Sequence, residues 1–423
     1  MTSGPTDTSS SRPVITRRTA CRACRGATLT KFLSLGEVPL ANSFLTAGQL
    51  QQPEPRFPLE VYFCADCSLV QLVDVVDPAV LFSHYLYRSG TSSTLAQHNA
   101  ALAETVARER GLTSSDLVVE IASNDGSLLK YFCERHIRVL GVEPATNIAA
   151  LAREAGVETL NEFFNATLAE KILSTHGAAG VIIANNVLAH VDTSLEFLEA
   201  ARSLLKADGR IVIEVPYLAE MLAQLEYDTI YHEHLSYFSV TALLRLFTEA
   251  GLALDRVDLV PIHGGSLRLW AKQIGAGGHT ESVLQLAEKE RAAGLARLAT
   301  YQEFGRRVAR NRKDLLALLR QLQGEGKSLA GYGAPAKGNT LLCYCGIGTD
   351  IVPYTVDRSP LKVGLFCPGS HIPIEPFDRI LERRPDYVLI LAWNFATEIM
   401  ASLSDYQEKG GQFILPIPFP AIL

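Results

Sequence analysis

Short apolar runs rich in β-branched residues alternate with amphipathic stretches along much of this 423-residue chain. Asp116-Leu-Val-Val-Glu-Ile-Ala122 is such a run before a turn, and it reads as a buried strand. Residues 127–136 then fit a helix, and Ile137-Arg-Val-Leu-Gly-Val-Glu143 fits a second strand. Gly180-Val-Ile-Ile-Ala184 and Arg210-Ile-Val-Ile-Glu-Val215 continue the alternation, and residues 92–111 precede it with a helical pattern. Strands alternating with helices predict an α/β fold with a doubly wound, largely parallel sheet. Gly275-Ala-Gly-Gly-His279 reads as a linker. Residues 281–323 follow, polar and rich in Ala, Leu, Glu and Arg; without sustained heptads they predict a connecting helix pair. A second α/β unit starts at Ser328-Leu-Ala-Gly-Tyr-Gly333, with strands near Tyr354-Thr-Val-Asp357, Tyr387-Val-Leu-Ile-Leu391 and Phe413-Ile-Leu415. Residues 19–85 carry shorter strand-like pieces such as Leu59-Glu-Val-Tyr-Phe63, broken by Pro53, Pro55 and Pro58.

These patterns divide the chain into a disordered N-terminus at 1–18, a small domain at 19–85, and α/β domains at 86–275 and 276–423. The formal charge of −6 argues against nucleic acid as the main partner, because phosphate binding needs a concentrated basic surface. No run of about 18 apolar residues is present, and Met1 to Ser11 lacks the apolar core of a signal peptide. A cytoplasmic protein without a membrane partner is expected, and a monomer.

Chemistry is densest at the cysteines. Cys21-x-x-Cys24 and Cys64-x-x-Cys67 carry the spacing of four thiolates around one tetrahedral zinc ion, which the other four cysteines do not repeat. Disulfides are the alternative, disfavoured by the intracellular character of the chain. A closed four-thiolate site serves folding rather than catalysis. Arg17, Arg18, Arg22 and Arg25 form a basic group beside it, read as a solvated face.

Two loops fit nucleotides. Val118-Val-Glu-Ile-Ala-Ser-Asn-Asp-Gly126 would present backbone N–H groups after a strand, and Glu143 closes the next strand where an acid can bind both ribose hydroxyls. The usual methyltransferase pattern has glycines two, four and six residues after its acid; here Ala122, Asn124 and Gly126 stand there. Gly331-Tyr-Gly-Ala-Pro-Ala336 fits the G-x-G-x-x-A variant of the dinucleotide fingerprint, with Asp357 beyond it, so an NAD-dependent dehydrogenase competes. Lys337 suits a diphosphate as a point charge, whichever nucleotide carries it. A zinc-dependent binding module is a further class.

Tyr227-Asp-Thr-Ile-Tyr-His-Glu-His-Leu-Ser-Tyr-Phe238 gathers the most ionisable groups. Tyr231, Glu233 and His234 are candidates for proton transfer, since histidine titrates near neutrality and a carboxylate can orient it. No H-E-x-x-H is present, so a catalytic metal carries little weight. His190 ends Ile182-Ile-Ala-Asn-Asn-Val-Leu-Ala-His190, where a ligand crevice is expected in an open sheet.

The thiol pairs, Val-Glu-Ile-Ala-Ser-Asn-Asp-Gly, Tyr-His-Glu-His-Leu-Ser-Tyr-Phe-Ser and Gly-Tyr-Gly-Ala-Pro-Ala-Lys-Gly-Asn occur in that order. Together they resemble the sugar C-methyltransferases of antibiotic deoxysugar biosynthesis over almost the whole chain, most of all the C-3′-methyltransferases of tetronitrose-type nitrosugar pathways. The resemblance implies an N-terminal zinc-binding domain, a central Rossmann-like methyltransferase domain and a C-terminal Rossmann-like α/β domain. It implies S-adenosylmethionine and Zn2+ as cofactors, and a dTDP-linked 4-keto-deoxysugar, with a 3-amino-2,3,6-trideoxy ring, methylated through an enolate. Glu120, Ala122, Asn124, Asp125, Gly126, Glu143 and Asn185 would then hold the methyl donor, and Gly333, Lys337 and Asn339 the sugar nucleotide. His234 or Tyr231 would act as the base, Glu233 would fix His234 or hold the amino group, and His190 and Tyr85 would stabilise the enolate oxygen.

Overall fold

The computed structural model describes residues 14–82, 93–262 and 264–423. Along Phe57–Cys64 the side chains of Leu59, Val61 and Phe63 are buried, while Pro58, Glu60 and Tyr62 between them are half-exposed, the period of a strand with one covered face. This strand pairs antiparallel with Leu29–Val38 on one side and Val70–Leu72 on the other. Pro58, expected to break the chain, lies inside the strand where its register with Leu29–Val38 slips, a place that asks for no regular ladder N–H. Ser236–Tyr237, from the middle of the chain, adds a fourth strand to this N-terminal sheet by pairing with Gln71 and Val70.

The central sheet has seven strands. Thr159–Leu160, Arg138–Val142, Leu117–Ile121, Ala179–Asn185 and Leu205–Pro216 lie parallel in that spatial order. Ser266–Gln273 and then Leu252–Val260 continue it antiparallel. This hairpin has no counterpart in the sequence reading, because Asp255, Arg256 and Asp258 interrupt the apolar run of the half-buried edge strand. Strand order reverses between Leu117–Ile121 and Ala179–Asn185, so a ligand crevice opens beyond their carboxyl ends.

The third sheet repeats this logic. Leu329–Tyr332 is flanked by Thr355–Asp357 and Ile374–Pro376 on one side, and by Tyr387–Ile390 and Gln412–Leu415 on the other, all parallel. Ala421–Ile422 closes the edge antiparallel. The expected helix pair is present as Glu281–Ala292 and Leu298–Gly324. The longer helix buries one stripe at spacings of three and four, from Tyr301 to Leu322. Its Tyr301 ring lies 5.2 Å from Phe32 and 4.9 Å from Phe63 of the N-terminal sheet. Nearly three turns further on, Asn311 accepts the Tyr227 hydroxyl at 2.9 Å and donates to the Pro416 carbonyl at 2.9 Å. A single helix thereby touches all three sections and fixes how they face one another.

Candidate active site

Each cysteine pair sits in a tight turn. The Arg25 N–H donates to the Cys21 carbonyl and the Ser68 N–H to the Cys64 carbonyl, with both donors in the left-handed region at φ 59° and 65°. The sulfurs of Cys21 and Cys67 come to 3.5 Å, those of Cys24 and Cys64 to 3.7 Å, and all four lie within 4.8 Å of one another. Sulfurs about 2.3 Å from one tetrahedral ion stand about 3.8 Å apart, so this donor set fits zinc. Hydrogen bonds from Cys64 and Cys67 hold the Cys21 thiol well below the usual thiol range, while the hydrogen bond to Cys21 pushes Cys64 up. Thiols this close need a cation before all can ionise.

Glu120 and Asn185 stand at the carboxyl ends of the two switch strands and face a cavity of about 1700 Å³. Burial, with Glu143 and Asp125 nearby, raises the Glu120 carboxyl well above the usual carboxylate range, and its Oε2 has no hydrogen-bond partner among the described residues. An orphaned buried acid on a cavity wall fits a cationic ligand such as the α-ammonium group of S-adenosylmethionine. The Glu143 carboxylate accepts the N–H groups of Asn124 at 2.9 Å and Ala145 at 2.8 Å. A carboxylate has about four acceptor sites, so two remain for ribose hydroxyls. In the turn between these acids, Ala122, Asn124 and Gly126 have φ of 56°, 49° and 74°. The backbone thus keeps the left-handed conformation that glycine normally supplies there, although two of the glycines are replaced. At Gly126 a Cβ would also lie 2.9 Å from Val157. Of the residues expected to hold the donor, Glu120, Ala122, Asn124, Glu143 and Asn185 line the cavity; Asp125 and Gly126 shape the turn without lining it.

Tyr231, Glu233, His234 and His190 line the same cavity. The Leu235 N–H donates to Ala189 at 2.7 Å and its carbonyl accepts the Leu72 N–H at 2.9 Å, which stitches this segment between the His190 turn and the N-terminal sheet. His234 Nδ1 is 2.8 Å from the Thr229 carbonyl, a pure acceptor, so that nitrogen carries the proton. Nε2 is left to accept from the Tyr231 hydroxyl at 2.9 Å. The His190 ring meets His234 edge-on at 4.8 Å, and burial pushes it down to about 4, leaving it neutral. The Thr229 carbonyl thus orients the His234 ring. Glu233 Oε1 accepts the Asn42 amide at 2.6 Å. Asn42 comes from the N-terminal section and lines the cavity; a lone asparagine in Leu40-Ala-Asn-Ser-Phe44 gave no sequence signal. His232 turns away, 1 % exposed, with Nε2 3.3 Å from the Phe57 carbonyl. Tyr85 lies outside the described residues.

From the C-terminal section, Pro335, Ala336 and Lys337 line the cavity, whereas Gly333 and Asn339 do not. Asn339 is fully buried and its amide donates to the Ala41 carbonyl at 2.8 Å, which docks the N-terminal section. Lys337 lies 4.7 Å above the Trp393 ring, near Asp228 and Glu226. Burial lowers its pKa against the pull of both acids, and pushes Glu226 up to about 7. Arg358 and Lys362 line the same wall and add positive charge. Asp357, the acid expected for a dinucleotide ribose, accepts the Ala334 N–H at 2.8 Å.

Residues 21–82 match a family of zinc binding domains, residues 95–257 a methyltransferase domain family, and residues 261–418 the C-methyltransferase C-terminal domain family. The C-methyltransferase NovU from Streptomyces niveus is 39% identical over 404 residues, which is 95% of this chain and 96% of that protein. Among solved structures, the magnesium protoporphyrin IX methyltransferase ChlM from Synechocystis PCC 6803 with bound SAM is 14% identical. It covers 42% of this chain and 79% of its own, at a TM-score of 0.32. The CcbJ methyltransferase from Streptomyces caelestis is 17% identical over 41% of this chain and 89% of its own, at 0.33. Those scores add nothing to the assignment, which rests on the domain matches and the full-length relative. The dehydrogenase and the binding module are thereby set aside, and the chain belongs to the S-adenosylmethionine-dependent C-methyltransferases that its motifs resemble, built on a zinc-binding domain.

Proposed function

We propose that the chain methylates C-3′ of a dTDP-linked 3-amino-2,3,6-trideoxy-4-keto-hexose through an enolate. The observation that carries this reading is the Tyr231–His234 pair, with its proton positions set by the Thr229 carbonyl, in one cavity with Glu120 and Glu143. A 4-keto group acidifies the neighbouring C–H. As that proton passes to the Tyr231 oxygen, the tyrosyl proton passes to His234 Nε2, so the pair acts as one base and His234 ends as the cation. The electron pair left on carbon delocalises onto the keto oxygen. His190, kept neutral by burial, donates a hydrogen bond to that oxygen in this reading, the stabilisation an enolate needs. S-adenosylmethionine supplies the electrophilic methyl group. Glu120 and Glu143 fix where it stands, because attack in line is a matter of positioning. Glu233, held by Asn42, receives the amino group on C-3′ in this reading. Lys337, its charge shared with Glu226 and Asp228, joins Arg358 and Lys362 in facing the diphosphate.

Solvent exchange tests the base. Enzyme and sugar nucleotide in deuterated water, with a donor analogue lacking the methyl group, are expected to place deuterium at C-3′. Tyr231→Phe and His234→Asn should each abolish exchange. Exchange at C-5′ instead, on the other side of the keto group, would move the methylated carbon; exchange at the normal rate in both variants would remove the pair as base.

A further inference from the structure

Arg22 stands between the two cysteines of the first knuckle, yet its side chain is completely buried. Its Nε donates to Asp192 at 3.1 Å, and one terminal nitrogen reaches the carbonyls of Leu235, at 3.2 Å, and Leu72, with the Gln71 side chain also within 3.2 Å. Leu235 follows His234 directly, and Asp192 lies two residues after His190. Arg18 holds the same Asp192 from outside, at 3.0 Å. A guanidinium without solvent is a costly group to place, and here Asp192 and Leu235 among its partners belong to the two segments that carry the facing histidine rings, while Gln71 and Leu72 belong to the N-terminal sheet. Leu235 also donates to Ala189, so the two segments touch each other as well as the knuckle.

We infer that Arg22 is a positioning residue, which transmits the fold of the zinc knuckle to the spacing of His190 and His234. Zinc then serves the reaction at a distance. The knuckle fixes the Arg22 backbone, and the guanidinium fixes the Leu235 carbonyl and Asp192. The edge-on packing of the two imidazoles at 4.8 Å follows from those anchors. This inference rests on the reading of His234 and Tyr231 as the base pair.

The test compares Arg22→Met, Arg22→Lys and Asp192→Asn in the full-length zinc-loaded protein, with kcat and KM, donor affinity by calorimetry and zinc content read together. Arg22→Met is expected to lower kcat at least tenfold, with one zinc per chain and donor affinity retained. Arg22→Lys should recover part of that loss. Asp192→Asn keeps the buried guanidinium and its carbonyl bonds, so it stays informative if Arg22→Met fails to fold; it should lower kcat several-fold at unchanged KM. Normal kcat in zinc-replete Arg22→Met, or a normal kcat in Asp192→Asn, overturns the inference. Such a result together with an inactive His234→Asn would leave the base assignment standing, whereas an active His234→Asn would remove the base assignment itself.

Discussion

Glu143 serves two ends at once, holding the turn through Asn124 and Ala145 and facing the cavity. Glu143→Gln keeps its shape but gives up a charged acceptor, and should weaken S-adenosylmethionine binding by about 1.5–3 kcal/mol in calorimetry. Unchanged affinity would place the donor elsewhere. Glu226 supplies a pH test. The unfolded chain releases its proton near 4.5, whereas the folded chain holds it until about 7. Between those values the folded state binds more protons, so stability falls as pH rises, by about 3 kcal/mol over the window. Glu226→Gln should lack this fall, and denaturation curves that run parallel for variant and parent from pH 4.5 to 7 would contradict the assignment. Single residues were unevenly legible in the sequence. The acids at strand ends were, because strand, turn and acid are consecutive. The turn at Ala122 and Asn124 read as a broken glycine motif, since sequence records residue type while the requirement is on φ. Arg22 read as part of a solvated face, because its partners lie 49 and more residues away.

At the scale of elements, the zinc knuckles and the buried strands were legible from local spacing and from apolar runs. The edge hairpin and the Ser236–Tyr237 strand were not. A two-residue strand has no periodicity of its own, and its partner, Val70–Leu72, belongs to another section of the chain. That pairing gives the metal centre a testable weight. Cys64→Ser should lower the melting temperature and solubility, because metal binding and folding are coupled. Elemental analysis of the parent should give one zinc per chain, and an active, stable protein without zinc would contradict the site.

At the scale of the molecule, the three sections are interlocked rather than strung in series. The N-terminal section supplies Asn42 to the cavity, takes a strand from the middle section, and accepts the Asn339 amide of the third. The cavity of about 1700 Å³ exceeds the roughly 300–1,000 Å³ usual for one ligand, as a site for donor and sugar nucleotide together requires. The serial order of the three sections was legible from composition and punctuation; their mutual placement was not, because long-range contacts leave no local pattern. The central claim is that a carbon beside the keto group receives the methyl. The most direct measurement is nuclear magnetic resonance of the product formed from the dTDP-linked 3-amino-4-keto sugar and a methyl donor labelled in its methyl carbon. A labelled methyl bonded to C-3′, now without its hydrogen, is expected. A label on the amino nitrogen or on an oxygen would contradict it.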